Sequence, residues 1–360
     1  MNIEKNIRDI LTKSINAPSG SNSQPWCFNI HEDELFIIAL PERDHPILNY
    51  KNRGTWIAHG ALIENIIIVA SSLGFEATPV IFPENSRYSN ISAAITFRES
   101  VPKLRTLAGV ISSRASNRQP YDRSFALTEE QQAYLEKSAF EVDSNAAQVV
   151  LTSDAKQIDI LAQAVAANEI VTLENETLHK LFFNEIVWSK DEETRRKMGL
   201  FVRTMGLKKT QEVMLKFLQY WPVSRVLNSI GLARMIAMGN AKVYAKSSMF
   251  GAIIVKDFDE DFILAGRVLE RLWLKTTQLG LSFHLIAGTP FLWQGVNAGV
   301  SKLSEGHQQI ILSEYRKILS TLEVKEKTIV AALFRIGKGK PPKAFSAKSP
   351  PLINAPQPYV

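Results

Sequence analysis

A single cysteine, Cys27, occurs in the 360 residues, so no intramolecular disulfide can form and the fold must rest on packing, as is usual in a reducing cytoplasm. Set between Trp26 and Phe28, it reads as a buried strand residue. The stickiest stretch, Val213 to Met238, is broken by Lys216, Pro222 and Arg225 and does not provide the uninterrupted ~20 apolar residues a membrane span needs. The start, MNIEKNIRDILTK, mixes acids and bases and reads as neither a signal peptide nor an anchor. His31, His45, His59, His179, His284 and His307 form no helical pair at metal-ligand spacing. Walker loop, Rossmann fingerprint and nucleophile elbow are all missing. The net charge of +6 is spread without a five-residue basic block, which argues against a nucleic-acid partner. These absences lead us to expect a cytoplasmic protein with no metal, no membrane partner and no nucleic acid.

What is present begins with Pro18-Ser19-Gly20-Ser21-Asn22-Ser23-Gln24-Pro25-Trp26, a stretch dense in turn formers that runs straight into a strand. Prolines restrict its ends, Gly20 permits close approach, and Ser19, Asn22 and Gln24 offer donors and acceptors without charge. That chemistry suits a flat heterocycle, although an ordinary surface turn has the same composition. Basic excess falls in two places, Arg105 to Arg123 and Arg335 to Lys348, a distribution that fits a small anion better than a polyanion.

Two segments match at a constant offset. Gly60, Glu64 and Gly74 recur as Gly266, Glu270 and Gly280, with an apolar 3.6 period between them, so each is read as a buried helix closed by a glycine C-cap and followed by a strand, Ala77–Phe82 or Phe283–Gly288. Further helices are expected at Ile3–Ile15, Pro102–Ser113, Glu129–Ser138, Ala155–Glu174 and within Glu305–Leu322, and further strands at Trp26–Ile30, Glu34–Ala39, Ile91–Phe97, Gln148–Thr152, Gly251–Lys256 and Thr328–Ile336. Helices and strands mix without regular alternation, which points to an α+β fold made of two copies of one unit, 1–100 and 101–360. Residues 179–249 have no counterpart in the first copy and hold Met198, Met205, Met214, Met235, Met238 and Met249; pliable methionines suit either a lid over a site or plain core packing.

Arg114, Ser116 and Arg118 alternate after the 102–113 helix, which places donors on one side of an extended segment, as an anionic oxygen cluster requires and as a solvated basic loop also allows. With Tyr121 shortly after, and with Pro18, Ser19, Asn22, Gln24, Pro25 and Trp26, this pattern resembles the nitroreductase superfamily of FMN-binding proteins. The resemblance runs from Ser14 to about Pro351. In ordinary members the arginine motif precedes the amide loop and the two meet across a homodimer interface. Here the order is reversed: the first copy carries the loop and the second the arginines, with Glu141-Val142-Asp143-Ser144-Asn145-Ala146-Ala147-Gln148 where a second loop would stand. The layout is similar to the fused, dormancy-associated nitroreductase-like subgroup of mycobacteria, a pseudo-dimer with one site and mainly antiparallel sheets flanked by helices.

The resemblance implies FMN as cofactor. It puts Arg114, Ser116 and Asn117 toward the phosphate and ribityl chain, Arg118 near the ring N1/O2 edge, and Pro18, Ser19, Gly20, Asn22 and Gln24 along ribityl and ring. Asn184 would match an asparagine at the ring edge, and Ile286, Ala287 and Gly288 would present backbone near N5, where Leu285-Ile286-Ala287-Gly288 replaces the family's Pro-x-Glu-Gly. Arg335 and Lys338 are candidates for the phosphate or simply a solvated end, and His284 for a proton donor or a core histidine. The implied activity is hydride transfer from NAD(P)H, through flavin N5, to a nitroaromatic, a quinone or another small aromatic acceptor. The alternative is a non-catalytic flavin-storage protein whose insertion closes over the ring. A monomer acting as a pseudo-dimer, or a weak homodimer, is expected.

Overall fold

Two helices that cross backbone to backbone organise the molecule. The computed structural model describes residues 3–84, 90–142 and 147–353, so Asp143–Ala146 of the segment in place of a second amide loop lies outside the described residues. The first half runs α1 (Ile3–Ser14), β1 (Trp26–His31), β2 (Glu34–Ala39), α2 (Arg53–Ser72), β3 (Phe75–Ile81) and β4 (Ile91–Glu99). After a short α3 (Arg105–Ala108), the second half repeats that order as α4 (Glu129–Val142), β5 (Ala147–Thr152), β8 (Met249–Val255), α11 (Asp259–Gln278), β9 (Ser282–Ile286) and β10 (Ile329–Gly337). Between β5 and β8 lie α5 (Ala155–Glu174), α6 (Glu176–Glu185), β6 (Ile186–Val187), α7 (Lys190–Arg196), β7 (Leu200–Phe201), α8 (Lys209–Leu218), α9 (Trp221–Ser229) and α10 (Leu232–Tyr244). Between β9 and β10 lie α12 (Gly288–Asn297) and α13 (Glu305–Thr321).

The sheets have the same plan. One is ordered β1-β2-β4-β3 and the other β5-β8-β10-β9, with every neighbouring pair antiparallel. The expected α+β architecture with mainly antiparallel sheets is therefore present. In the first sheet Glu32 and Asp33 alone join the first two strands; in the second, the equivalent join is the whole of residues 153–248. The insertion thus starts earlier than residue 179, because α5 also has no counterpart.

The crossing of α2 and α11 explains the repeated glycine. A Cβ on Gly60 would fall on the carbonyl oxygen of Ile263, and one on Gly266 would fall on that of Ile57. Their next contacts are Arg267 N and Ala61 N. Residues 57, 60 and 61 correspond to 263, 266 and 267 under the offset read from the sequence, so the crossing has a pseudo-two-fold axis. Each helix ends as expected, at Leu73 or Leu279, with Gly74 or Gly280 at positive φ. Apolar residues of both sheets, α1, α2, α4 and α11 form one continuous core. The far face of the second sheet packs on α5 and α13, so β8 and β10, covered on both sides, are buried at every position.

Two expectations need correction. Pro102–Ser113 is not one helix: Leu104 has φ 53°, α3 spans four residues, and a 3-10 turn follows at Ile111–Ser113, because the chain must turn here to lay Ser116 beside Phe283 of β9. The strand expected at Phe283–Gly288 ends at Ile286, and Gly288 already begins α12. Residues 50–72 are long and apolar enough to span a membrane, but this is the core helix, 83% buried in its most apolar window.

Candidate functional site

One cavity of about 360 Å³ collects residues from both halves, a volume within the range of small-molecule sites. From the first half come Pro18, Ser19, Gly20 and Asn22; from the second come Arg114, Ser116, Arg118, Ala287 and Gly288. Sequence positions as far apart as 18 and 288 meet because α2 and α11 cross beneath them and contribute Ile57, Ala58, Leu269 and Trp273 to the wall. The loop keeps its shape through left-handed backbone at Ser21, Asn22 and Gln24 and through the Ser19 hydroxyl, which accepts from Gln24 N at 3.0 Å.

Six other expected residues do not line the cavity. Gln24 is buried behind the loop, where its amide donates to Lys197 O at 2.7 Å and accepts from Ser349 N at 2.9 Å; it fastens two other segments to the loop. Asn117 is likewise structural, donating to Ser282 Oγ and Lys340 O. Asn184 faces a separate surface depression with His45 and Lys180, and its neighbour Glu185 reaches the cavity instead, accepting from Ser21 Oγ. Ile286 points into the core beyond the second sheet. Arg335 is fully buried, over the Tyr121 ring at 4.1 Å, and donates to His284 Nδ1, Val243 O and Gln119 O. Lys338 sits over Phe125 at 5.6 Å. His284 is the core histidine of the two readings: burial, with Arg335 and Arg118 nearby, holds its pKa well below the ordinary value, so the ring is neutral. At Gly288 a Cβ would strike the Asn168 amide, so the close approach that requires glycine here is to another part of the chain.

The cationic wall is more elaborate than the sequence suggested. Arg114 lies over Trp273 at 4.3 Å, donates to Asn16 O at 2.6 Å, and has Nε 3.2 Å from Oε1 of Glu270. That pair is close but poorly aligned, because neither Glu270 oxygen makes a well-formed hydrogen bond. Burial pushes the Glu270 carboxyl up to about 7, with Arg114 and Asn65 pulling the other way. Lys348 enters from the carboxy-terminal strap and donates to Ala17 O at 2.8 Å; burial and then Arg114 bring its pKa down to about 7. Arg118 donates to Thr204 O at 3.3 Å. Two acids, Asp44 and Glu185, also line the cavity, each raised chiefly by burial.

Sequence reasoning missed Lys348, Asp44, Glu185 and Phe345 among the lining residues. Lys348 lay within the basic stretch already marked, but nothing in the local pattern distinguished it from Arg335 and Lys338. Of the insertion, only Glu185, Gly199, Leu200 and Thr204 line the cavity, and none of its methionines does. Ser116 Oγ and Asn22 Oδ1 are buried without a hydrogen-bond partner, and both belong to lining residues. Because a buried polar atom without a partner costs free energy, this set fits a ligand with an anionic group and a polar, planar body. Among the described residues no group of acids, histidines and cysteine is arranged to hold a metal.

No family model matches the chain. It is similar to an uncharacterized protein of Mycobacterium tuberculosis strain CDC 1551, 25% identical over 277 residues, which are 76% of this chain and 37% of that protein. It is also similar to the protein of strain H37Rv named "Putative NAD(P)H nitroreductase", 26% identical over 117 residues, 32% of this chain and 34% of that one. The chain therefore spans little more than a third of the length of the curated relatives it matches. Similar solved structures include the NADPH:FMN oxidoreductase of Vibrio harveyi complexed with NAD+, at 12% identity and TM-score 0.35 over 67% of this chain and 72% of that one. Another is a nitroreductase with bound FMN from Desulfitobacterium hafniense, at 11% identity and TM-score 0.36 over 67% of this chain and 94% of that one.

Proposed function

We propose that this chain binds FMN in the cavity and acts as an oxidoreductase, taking hydride from NAD(P)H and delivering it to an electron-poor small molecule such as a nitroaromatic or quinone. The observation that carries the reading is the convergence of Pro18–Ser23 with Arg114, Ser116 and Arg118 on one cavity. The mycobacterial relative named as a nitroreductase supports it. Each half supplies a part that the other lacks, so we read the chain as a pseudo-dimer with one site. The symmetric crossing of α2 and α11 supports that layout.

The residues present fit the cofactor. Arg114, Ser116 and Lys348 would hold its phosphate, Ser19, Gly20 and Asn22 its ribityl chain and ring edge, and Arg118 would stand beside the ring. When bound, FMN supplies a two-electron carrier that accepts and gives hydride. The protein's own part is positioning and polarisation. Arg118 brings a fixed positive charge, and Ala287 and Gly288 bring the start of α12, with its first-turn N–H groups, to the wall. Glu270 and Lys348 exchange protons near neutrality beside Arg114 and set the net charge that an anionic group meets there.

The carboxy-terminal strap favours a second reading, flavin storage. Ala344, Phe345, Ser346 and Lys348 line the cavity, and the strap is tied down where Asn22 donates to Ala347 O, Ala347 N donates to Glu193, and Ser349 N donates to Gln24. Titration of the purified chain with FMN, followed by anaerobic addition of NADH or NADPH, separates the readings. Uptake of FMN and bleaching of its visible bands supports the reductase; uptake without bleaching supports storage; a protein that takes up no FMN would end both.

A further inference from the structure

The outer face of the insertion combines exposed apolar side chains with exposed cations. α8, α9 and α10 pack in series, and their inner residues Leu218, Leu232 and Ala233 share a core with Phe201 and Val187. Their outer residues are also apolar. Phe217 is 62% exposed, Ile230 77%, and Val213, Val226, Met235 and Met238 are exposed with them. Large exposed apolar patches on a soluble surface mark a site of contact.

Charge gathers on the same face. Residues 208–246 hold seven lysines and arginines against one acid, Glu212, and all seven are exposed. This local excess of six equals the net charge of the whole chain, so the remaining residues balance to zero. Helical spacing mixes the two chemistries. Lys209, Val213, Lys216 and Phe217 share one face of α8, Pro222, Arg225, Val226 and Ser229 form the exposed side of α9, and Arg234, Met235, Met238 and Lys242 lie along one face of α10. A nucleic acid would satisfy the charges but not the aliphatic side chains, and an apolar groove would satisfy those but not the charges. A bilayer containing anionic lipid satisfies both, through apolar burial at the headgroup boundary and attraction of Lys and Arg to its surface.

We propose that α8–α10 dock this protein on the surface of an anionic membrane. The proposal departs from the sequence expectation of no membrane partner. The docking surface is joined to the cavity by a short stretch of chain: Gly199, Leu200 and Thr204 line the cavity, and α8 begins at Lys209. The proposal does not depend on the FMN reading, since lipid binding needs no cofactor.

Sedimentation of the full chain with vesicles tests it, using phosphatidylcholine alone and phosphatidylcholine with about one third phosphatidylglycerol. The protein is expected to pellet with the anionic vesicles, with an affinity that falls roughly tenfold on raising salt. Phe217→Ser with Ile230→Ser should abolish pelleting, and Arg225→Glu with Arg234→Glu should weaken it at least about tenfold. All four side chains are exposed, so circular dichroism and thermal melts of both variants should match the parent. A parent that stays in the supernatant with both vesicle types would overturn the proposal. So would a serine variant that pellets like the parent, or a parent dimer in sedimentation velocity that the serine variant renders monomeric, since the face would then belong to a second copy.

Discussion

Glu64 on α2 and Glu270 on α11 are equivalent positions on two crossing helices, and both are fully buried, yet they meet different partners. Glu64 accepts from Arg271 Nε at 2.6 Å and from Arg267 Nε at 3.1 Å. The counterpart of Arg271 is Asn65, so the opposite helix offers Glu270 no cation. Arg114 and Lys348 supply the charge instead, from segments that also line the cavity. Around Glu64 the arginine belongs to the scaffold, and burial of Arg271 is outweighed by Glu64 and Glu141, which hold its pKa above the ordinary value. Around Glu270 burial instead leaves the acid with its pKa raised to about 7. A symmetric framework thus becomes a one-sided site through two asymmetric pairs, Arg271 against Asn65 and Arg267 against Ala61.

The glycines test the symmetric part. Gly60→Ala and Gly266→Ala each place a methyl on a carbonyl of the partner helix, and backbone on both sides leaves little room to yield. Each should cost more than about 5 kcal/mol or prevent cooperative folding. Urea denaturation should show similar losses for the two. If one is tolerated, the crossing is not symmetric in energy.

The glutamates test the asymmetric part. Glu64→Gln leaves Arg271 and Arg267 without their buried carboxylate and should cost about 4 kcal/mol. At pH 6 Glu270→Gln should change stability by no more than about 1 kcal/mol, because the carboxyl, held near 7, is already largely protonated there. Equal losses in denaturant would remove the distinction between the halves.

A third asymmetry is His59 of α2, whose counterpart is Ala265. The ring lies 2.6 Å from Ser92 Oγ and 2.7 Å from Pro25 O, and burial brings its pKa down to about 4. As pH falls below 6.5, the unfolded chain takes up this proton before the folded one, so stability drops between pH 6.5 and 4 by about 3 kcal/mol from this residue. Urea midpoints across that range should fall less steeply in His59→Gln than in the parent. Parallel curves would show that the ring is not held neutral by the fold.

How far such contrasts could be read in advance depends on whether the cause is local. The glycine–glutamate–glycine repeat was legible because close helix approach demands glycine in both copies, and the offset carried over to the contacts. The loop at 18–22 and Arg114, Ser116 and Arg118 were singled out through the resemblance of their motifs, because their local composition alone suits a surface turn and a solvated basic loop equally well. Arg335 and Lys338 were chosen over Lys348 because a basic tail looks uniform in sequence. Only the fold reveals that β10 is covered on both faces while the strap beyond it returns to the first half, where Ile353 pairs with Phe28. Asp44 and Glu185 gave no signal, since their place in the wall comes from the distant packing of 41–52 and α6.

The smallest effect bears most directly on the site. In the free protein, raising pH through about 7 ionises Glu270 and removes the Lys348 proton, so both changes make the surroundings of Arg114 less positive. An anionic ligand should therefore bind more weakly at pH 8 than the cation count alone implies. Glu270→Gln removes the carboxylate but not Arg114 or Lys348. At pH 8 it should tighten FMN about tenfold, one pKa unit's worth of interaction, and at pH 6 it should do little. The phosphate's own ionisation near pH 6 affects parent and variant alike and cancels in their ratio. Isothermal titration of both proteins with FMN at the two pH values provides the comparison, and Glu64→Gln, if folded, should leave the affinity unchanged. A ratio that does not vary with pH would mean that Glu270 serves only the scaffold, and the difference between the two glutamates would then be structural.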